Sequence, residues 1–437
     1  MFLNNIRYYG FWLIDALKGF KIKNHLKEIE KIQQDYSSDE SQSLQQSYMI
    51  DLLRHATSTT DFYKAYKNLD LKKFPVIDKN IIRTNELQFQ SKTYSKKQKK
   101  YVSSSGSTGA TIRVYHDKNK CNRSTADNIY FLKLVGFKVG QKLFYIRIWW
   151  YTISKFAMWC KNIEVIDILR FNDKKYILNL IKKLTSNNES KNIMGYASAL
   201  EQICLYLDNN NYKPLIKANI KSVISIAENL SNYTKGRMKY YFNTPIFSRY
   251  SNTENGIFAQ QTPSPDNNFV INWASYFIEI LKFDEDTPVD YGETGRIIIT
   301  DLFSYGMPMI RYDTGDVGAI DYSVSPPVFK NIEGRKADVI FNTNGRIVSS
   351  LVIVRPHLSK GVLQSQLIQE NKKEYIIKLN VTDEFNDELI LINEFKEILG
   401  NDALIKVKYI DEIPALASGK TRTTINNYMV NATKVSS

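Results

Sequence analysis

The sequence has only three cysteines and four histidines and no long apolar run. Each shortage removes a class of protein. Cys121, Cys160 and Cys204 lie far apart and form no Cys-x-x-Cys, so neither a disulfide framework nor a structural zinc site is expected. That usage fits a reducing cytoplasm. No stretch reaches the roughly 18 apolar residues that cross a bilayer. Residues 2–20 are interrupted by Asn4, Asn5, Arg7, Asp15 and Lys18, with no small-residue cleavage site after them, and do not read as a secretory signal. No internal repeat or low-complexity segment occurs.

What is present is ordinary in bulk and biased in charge. A chain of 437 residues suggests two or three units. With 43% apolar and 24% charged residues it can build a sizeable core. The net charge of +14 attracts anions: nucleotides, nucleic acid, acidic sugars or anionic lipid. Runs such as Lys96-Lys97 and Lys99-Lys100 read first as a solvated face. No helix-turn-helix, finger or aromatic-stripe motif supports a nucleic-acid partner. Phe2, Leu3, Ile6, Tyr9, Leu13, Ala16, Leu17 and Phe20 recur near helical spacing. Such a helix either lies on a membrane surface or packs on its own domain, and the second is the expectation.

Along the chain, residues 1–100 form a helical, basic lead-in, with amphipathic helices expected at Lys23–Gln34 and Gln42–Ala56. Leu71–Arg83 reads as a Pro-broken connector before a short helix. Residues 101–330 alternate strand-like runs (142–148, 223–226 and 296–300) with helical patterns at Lys174–Leu184 and Ala199–Leu207, which argues for layered α/β sheets. Residues 331–437 differ: strands at Tyr375–Val381 and Ile405–Ile410 flank a helix at Asn386–Leu399, a small α+β unit.

Four motifs carry candidate chemistry. The first is Ser103-Ser104-Ser105-Gly106-Ser107-Thr108-Gly109-Ala110-Thr111, between the expected strands Lys100–Ser103 and Ile112–Tyr115. Its backbone N–H groups and hydroxyls suit a phosphate, although it is neither a Walker loop nor a dinucleotide fingerprint. Alone it reads equally as a flexible Ser/Gly loop. The second is Pro308 to Asp316, where Asp316 after a Thr314-Gly315 turn suits two ribose hydroxyls. Alone it is an ordinary turn. The third, Ile332 to Ile340, offers Gly334-Arg335 as a hinge with a guanidinium for an anion, or a plain interdomain loop. The fourth, Ile413 to Arg422, sets Lys420 on a Ser-Gly turn, either aimed into a cleft or simply solvated.

In this order and spacing the four resemble the adenylate-forming superfamily of acyl-CoA synthetases and peptide-synthetase adenylation domains. The closer resemblance is to its phenylacetate–CoA ligase-like branch, capsule-polysaccharide (CapK) type. Leu52–Ala56 with Phe74–Lys79, Gly195–Leu200 followed by Ser225–Leu230, Tyr250-Ser251-Asn252-Thr253-Glu254-Asn255-Gly256, and the opening helix Tyr8–Ile29 extend it over nearly the whole chain.

The resemblance implies a large N-terminal adenylation domain, 1–334, and a small mobile C-terminal lid, 335–437. It implies ATP and Mg²⁺ as cofactors. Ser104, Ser105, Gly106, Ser107, Thr108 and Gly109 would hold the β- and γ-phosphates. Glu254 would ligate Mg²⁺ and Thr253 would sit near the α-phosphate. Tyr250 and Glu228 would line the nucleotide site, Asp316 would bind the ribose, and Arg335 would contact the same sugar or phosphate. Lys420 would swing in to stabilise charge during adenylation, an effect worth about 3–5 kcal/mol by analogy with other preorganised donors. His25, His55, His116 and His357 need no chemical role.

The implied reaction joins a carboxylic or amino acid to AMP and passes the acyl group on, to coenzyme A or to a sugar amine or hydroxyl, in surface polysaccharide assembly. The implied setting is cytoplasmic, at the inner face of the membrane if residues 1–20 touch lipid. The chain departs from the family at Ala337, where relatives carry an acidic hinge residue followed here by Asp338, and at Ala110-Thr111. Residues 341–437 carry no pantetheine-tunnel signature. Tyr196, Ala227 and Ser251, expected near the acid, are too varied in type to name it. The competing readings are a non-catalytic nucleotide-binding protein and a basic membrane-peripheral scaffold.

Overall fold

The computed structural model describes the chain except residues 1, 104–111, 148–153, 172, 265, 336–339, 346, 349–359, 415–423 and 429–437. The lead-in is helical: α1 (Phe2–Leu17), α2 (Lys21–Gln34), α3 (Asp39–Thr59) and the short α4 (Lys79–Thr84) and α5 (Glu86–Phe89). Ser38 caps α3 and Asp78 caps α4, each side chain accepting from an N–H of the first turn. The hairpin β1 (Lys99–Ser103) and β2 (Arg113–Asp117) follows, with Ser103 opposite Arg113. It packs Ile112 and Val114 against Leu52, Leu53, Phe74 and Met309 in a core of its own.

Among the described residues, the body is an α/β structure built on one eleven-stranded sheet. Its parallel half comprises β3 (Lys142–Arg147), β4 (Ile163–Asp167), β5 (Lys191–Tyr196), β6 (Ile220–Ile226) and β7 (Ile246–Asn252). The helices α6 (Lys118–Leu134), α7 (Lys155–Lys161), α8 (Lys174–Thr185), α9 (Ala197–Asn209) and α10 (Asn232–Phe242) alternate with those strands. Every residue of β5 is buried, as expected of a parallel strand enclosed on both faces. The antiparallel half continues through β8 (Gly256–Gln261), β9 (Phe269–Ile271), β10 (Tyr276–Leu281), β11 (Gly295–Asp301), β12 (Tyr312–Asp321) and β13 (Val328–Arg335).

Beyond it lie the small pair β14 (Ile340–Phe341) and β15 (Ile347–Val348) and a four-stranded sheet. That sheet holds β16 (Val362–Gln369), β17 (Glu374–Val381), β18 (Leu404–Tyr409) and β19 (Thr424–Asn426), with α11 (Glu388–Leu399) between β17 and β18. Leu391, Phe395 and Leu399 of α11 pack on Ile377 and Leu379 of β17 in a separate α+β core.

The helices and strands expected from spacing form, with ends shifted by a few residues; the opening helix Tyr8–Ile29 instead breaks into α1 and α2, with Gly19 and Phe20 at positive φ between them, and Ile148 lies outside the described residues. Two local readings change. Thr314-Gly315-Asp316 is not a turn but a bulge inside β12. The β11–β12 register steps from Arg296↔Val317 to Ile298↔Asp313, and Gly315 takes φ +77 there. Gly334-Arg335 is the end of β13, with Arg335 opposite Asp316, rather than a loop.

Candidate active site

The carboxyl ends of parallel strands in an open α/β sheet leave a crevice where ligands bind. Here those ends are Tyr196 on β5, Ile226 on β6 and Asn252 on β7. Ala227, just past β6, holds φ +71. The turn after β7 carries Thr253, exposed, and Glu254, buried.

That turn is held from several sides. The Asn252 side-chain oxygen accepts the N–H of Asn255 at 2.7 Å. The Tyr276 hydroxyl donates to the Asn255 carbonyl at 2.7 Å, and His116 Nε2 donates to the Glu254 carbonyl at 2.7 Å. Below it, Asn255 Nδ2 donates to Asp301 Oδ2 at 3.3 Å. Asp301 is paired in turn with the Lys120 ammonium at 2.6 Å, both side chains fully buried. The Lys120 ammonium also lies 5.0 Å from the centre of the Tyr276 ring.

The Glu254 carboxylate, 3% exposed, faces the ammonium of Lys79 at 2.8 Å. Tyr312, fully buried, donates to the same oxygen at 3.4 Å. Lys79 arrives there because its segment runs beside β12. The Ile77 N–H donates to the Arg311 carbonyl at 3.0 Å, and the Asp313 N–H donates to the Ile77 carbonyl at 2.7 Å. Arg311 itself grips Glu279 with two nitrogens, each at 3.1 Å.

Replacing Lys79 by Met leaves a buried carboxylate without its cation. Lys79 is 34% exposed, so water screens part of the pair. Urea unfolding is expected to register a loss of about 1–3 kcal/mol.

The bulge of β12 meets the same strand. The Tyr250 hydroxyl donates to Asp316 Oδ2 at 2.8 Å and lies 3.1 Å from Thr314 Oγ1. Burial, then the Asp316 charge, pushes the Tyr250 hydroxyl well above its usual range. Burial and Glu254 do the same for Tyr312. Both stay protonated donors, one to each carboxylate. Tyr250, Glu254 and Asp316, drawn from two separate motifs, thus form one cluster, joined by Tyr312 and Lys79, which the motifs did not single out as site residues.

The remaining candidates fall elsewhere. Ser104, Ser105, Gly106, Ser107, Thr108 and Gly109 lie outside the described residues, but their flanks, Ser103 and Ile112, do not. The hairpin that presents them ends beside Glu254 through His116. Lys420 also lies outside the described residues, as do Ala337, Asp338 and His357. The run leading to Lys420 is anchored where the Ile413 N–H donates to Gln364 Oε1 at 2.7 Å. Arg335 is placed by its backbone alone. Glu228 spends one carboxylate oxygen on the α9 N-terminus, accepting the Ser198 N–H at 2.8 Å. That structural duty was not legible from the sequence.

Glu254 would be the Mg²⁺ ligand, since carboxylate oxygens are what this ion takes; in the structure its Oε1 faces the Lys79 ammonium. Among the described residues no cluster of three or more His, Cys, Asp or Glu occurs. An ion here would draw one carboxylate from the protein and the rest of its shell from phosphate and water, as is usual for Mg²⁺.

His116, His25 and His55 all have their imidazoles lowered below the usual 6.5, in each case mainly by burial. A lowered histidine favours the neutral folded form. Its contribution is complete above 6.5 and is lost as pH falls through the folded value. Thermal melts are expected to show lower stability at pH 5.5 than at 7.5, with the difference reduced in His116→Asn.

The family model of the CapK C-terminal domain matches residues 340–427. No curated protein matches the sequence. Solved structures do. A 2-hydroxyisobutyryl-CoA ligase in the postadenylation state, in complex with 2-HIB-AMP, superposes with a TM-score of 0.69 at 12% identity, over 92% of this chain and 93% of that one. ATP-bound MatB from Rhodopseudomonas palustris gives 0.55 at 16% identity, over 74% and 66%. The anthranilate CoA ligase AuaEII with anthranoyl-AMP gives 0.55 at 14%, over 77% and 66%. Residues 340–427 thus match the CapK C-terminal domain, and the chain shares the fold of solved acyl-CoA ligases.

Proposed function

We propose that this chain is an ATP-dependent ligase that activates a carboxylic acid as its acyl-adenylate and then transfers the acyl group. The supporting observation is the cluster of Tyr250, Glu254, Tyr312, Thr314 and Asp316 beside the carboxyl ends of the parallel strands, in a fold shared with acyl-AMP-bound ligases.

A carboxylate is a poor electrophile, and AMP supplies the leaving group it lacks. One carboxylate oxygen attacks the α-phosphorus of ATP, and pyrophosphate leaves. Glu254 would hold Mg²⁺, which would neutralise charge on the departing phosphates. Ser104–Gly109 wrap the β- and γ-phosphates, and Thr253 lies near the α-phosphate. Asp316, oriented by Tyr250, takes the ribose hydroxyls, and Arg335, opposite it on β13, takes the same sugar or phosphate. Lys420 carries positive charge to the α-phosphate as a lid, residues 335–437, closes on the body, residues 1–334. The acid lies near Tyr196, Ala227 and Ser251.

The acceptor is a thiol, coenzyme A, or a sugar amine or hydroxyl. We infer that the reaction serves surface polysaccharide assembly in the cytoplasm, a reading supported by the match of residues 340–427 to the CapK C-terminal domain.

The test is ATP–pyrophosphate exchange with Mg²⁺ against amino, aromatic, short-chain fatty and hydroxy acids. One acid is expected to support exchange, with the rate falling by about two to three orders of magnitude in Lys420→Ala. If no acid supports exchange and calorimetry detects no ATP binding, the reading is wrong.

A further inference from the structure

A helix on a protein surface ordinarily turns its apolar stripe inward and its polar face to water. Helix α1 does the reverse. Its inner face is polar or aromatic and well used. Asn4 lies against the turn at Gly140, where an added Cβ would come within 2.3 Å of the Asn4 carbonyl oxygen. Arg7 Nε donates to the Trp159 carbonyl at 3.1 Å, and its guanidinium sits 5.2 Å from the centre of the Trp159 ring. Asp15, 3% exposed, accepts the N–H groups of Ile22 and Lys23, each at 2.9 Å, and so fixes the start of α2.

The outer face is the apolar one. Phe2, Leu13 and Leu17 are 77%, 62% and 81% exposed, and Leu3, Ile6 and Tyr9 are exposed with them. The neighbouring α7, which α1 touches through Arg7, adds Phe156 and Trp159, also exposed, their rings stacked at 6.4 Å. A contiguous exposed apolar face on this scale marks an interaction site.

Charge selects the occupant. The one carboxylate of α1, Asp15, is buried, and α7 has none. Lys18 follows α1, Lys155 and Lys161 lie on α7, and Lys21, Lys23 and Lys27 lie on α2, all exposed. The nearest acids on α2, Glu28 and Glu30, are already paired with Arg123 and Lys133. Apolar side chains ringed by lysines, with Tyr and Trp among them, match the boundary between headgroups and acyl chains of an anionic bilayer. Sixteen residues make a helix about 24 Å long, short of the roughly 30 Å hydrocarbon core, and no described helix is long and apolar enough to cross a membrane.

We propose that α1 and α7 form a docking face on which the protein lies in the plane of an anionic phospholipid surface, Phe2, Leu13, Leu17 and Phe156 entering the bilayer edge and Lys18, Lys21 and Lys161 meeting its phosphates. This face is remote in sequence from Glu254 and Asp316 and its test reads vesicle binding rather than exchange, so it stands or falls apart from the adenylation reading.

The experiment is co-sedimentation of the full chain with vesicles of phosphatidylcholine alone or mixed with phosphatidylglycerol, with solution mass by analytical ultracentrifugation. The wild-type protein is expected to bind the mixed vesicles at least tenfold more tightly than neutral ones. Leu13→Glu/Leu17→Glu and Lys18→Glu/Lys21→Glu are each expected to weaken that binding at least tenfold with melting curves unchanged, since these side chains are exposed. Wild-type protein that stays in the supernatant with both vesicle types overturns the proposal, as do variants that bind like the wild type. A wild-type dimer that Leu13→Glu/Leu17→Glu splits, without vesicle binding, also overturns it and makes the face a contact between copies.

Discussion

Lys120→Met is expected to destabilise the protein by about 3–5 kcal/mol in urea unfolding, because it strands a buried carboxylate without its paired ammonium. Asp301 is fully buried, 2.6 Å from the Lys120 ammonium. Among the described residues it also accepts hydrogen bonds from Asn255 Nδ2 and the Phe303 N–H. Both are dipoles, not counter-charges. Set against a typical total of roughly 5–15 kcal/mol, the loss brings the chain close to unfolding. The pair variant Lys120→Met/Asp301→Asn removes both charges and keeps a hydrogen-bonding group opposite Asn255. It is expected to recover most of the loss, since a buried ion pair replaced as a unit costs far less than one broken. Equal losses in the single and pair variants would mean that Lys120 acts through packing alone. The pair matters beyond stability because Asn255 shares a turn with Glu254. Loosening Asp301 releases the floor of the proposed metal site.

Glu254→Gln is the second large effect, and it falls on chemistry. The substitution keeps the shape and an oxygen near Lys79 and Tyr312, but removes the anionic ligand that a hard divalent cation needs. ATP–pyrophosphate exchange is expected to drop about 10²–10³-fold, the usual effect of removing one preorganised electrostatic group. The Mg²⁺ concentration for half-maximal exchange is expected to rise, while the melting curve moves little. Normal exchange at ordinary Mg²⁺ would remove Glu254 from the metal's shell.

The architecture was readable because it rests on local patterns. The runs at 142–148 and 223–226 and the helices at Lys174–Leu184 and Asn386–Leu399 announce themselves by period, and β3, β6, α8 and α11 form there. The meeting of Tyr250 with Asp316 was approachable only through motif order, since 66 residues separate them. Three features were not legible at all. Lys120 sits in a lysine-rich stretch that reads as solvent-facing, and only the approach of β11 to α6 makes it a buried cation. Lys79 gains its partner through a backbone ladder with Arg311 and Asp313, a contact more than 230 residues long. The Thr-Gly-Asp sequence has turn chemistry, and the sheet absorbs it as a bulge because Gly315 can take φ +77 within a strand. The α1 helix was visible by spacing, but which of its faces packs was not.

Adenylation turns the acid into an acyl-AMP. It is tested most directly by following the carboxylate oxygen. The acid selected by exchange, labelled with ¹⁸O in both carboxyl oxygens, is incubated with ATP, Mg²⁺ and the protein, with hydroxylamine as a surrogate acceptor. If the carboxylate attacks the α-phosphorus and the amine then attacks the acyl carbon, one labelled oxygen stays on phosphorus when the C–O bond breaks. The expected products are AMP carrying one ¹⁸O, pyrophosphate without label, and a hydroxamate retaining the other. ADP together with labelled inorganic phosphate would show attack at the γ-phosphorus through an acyl phosphate and would contradict adenylation.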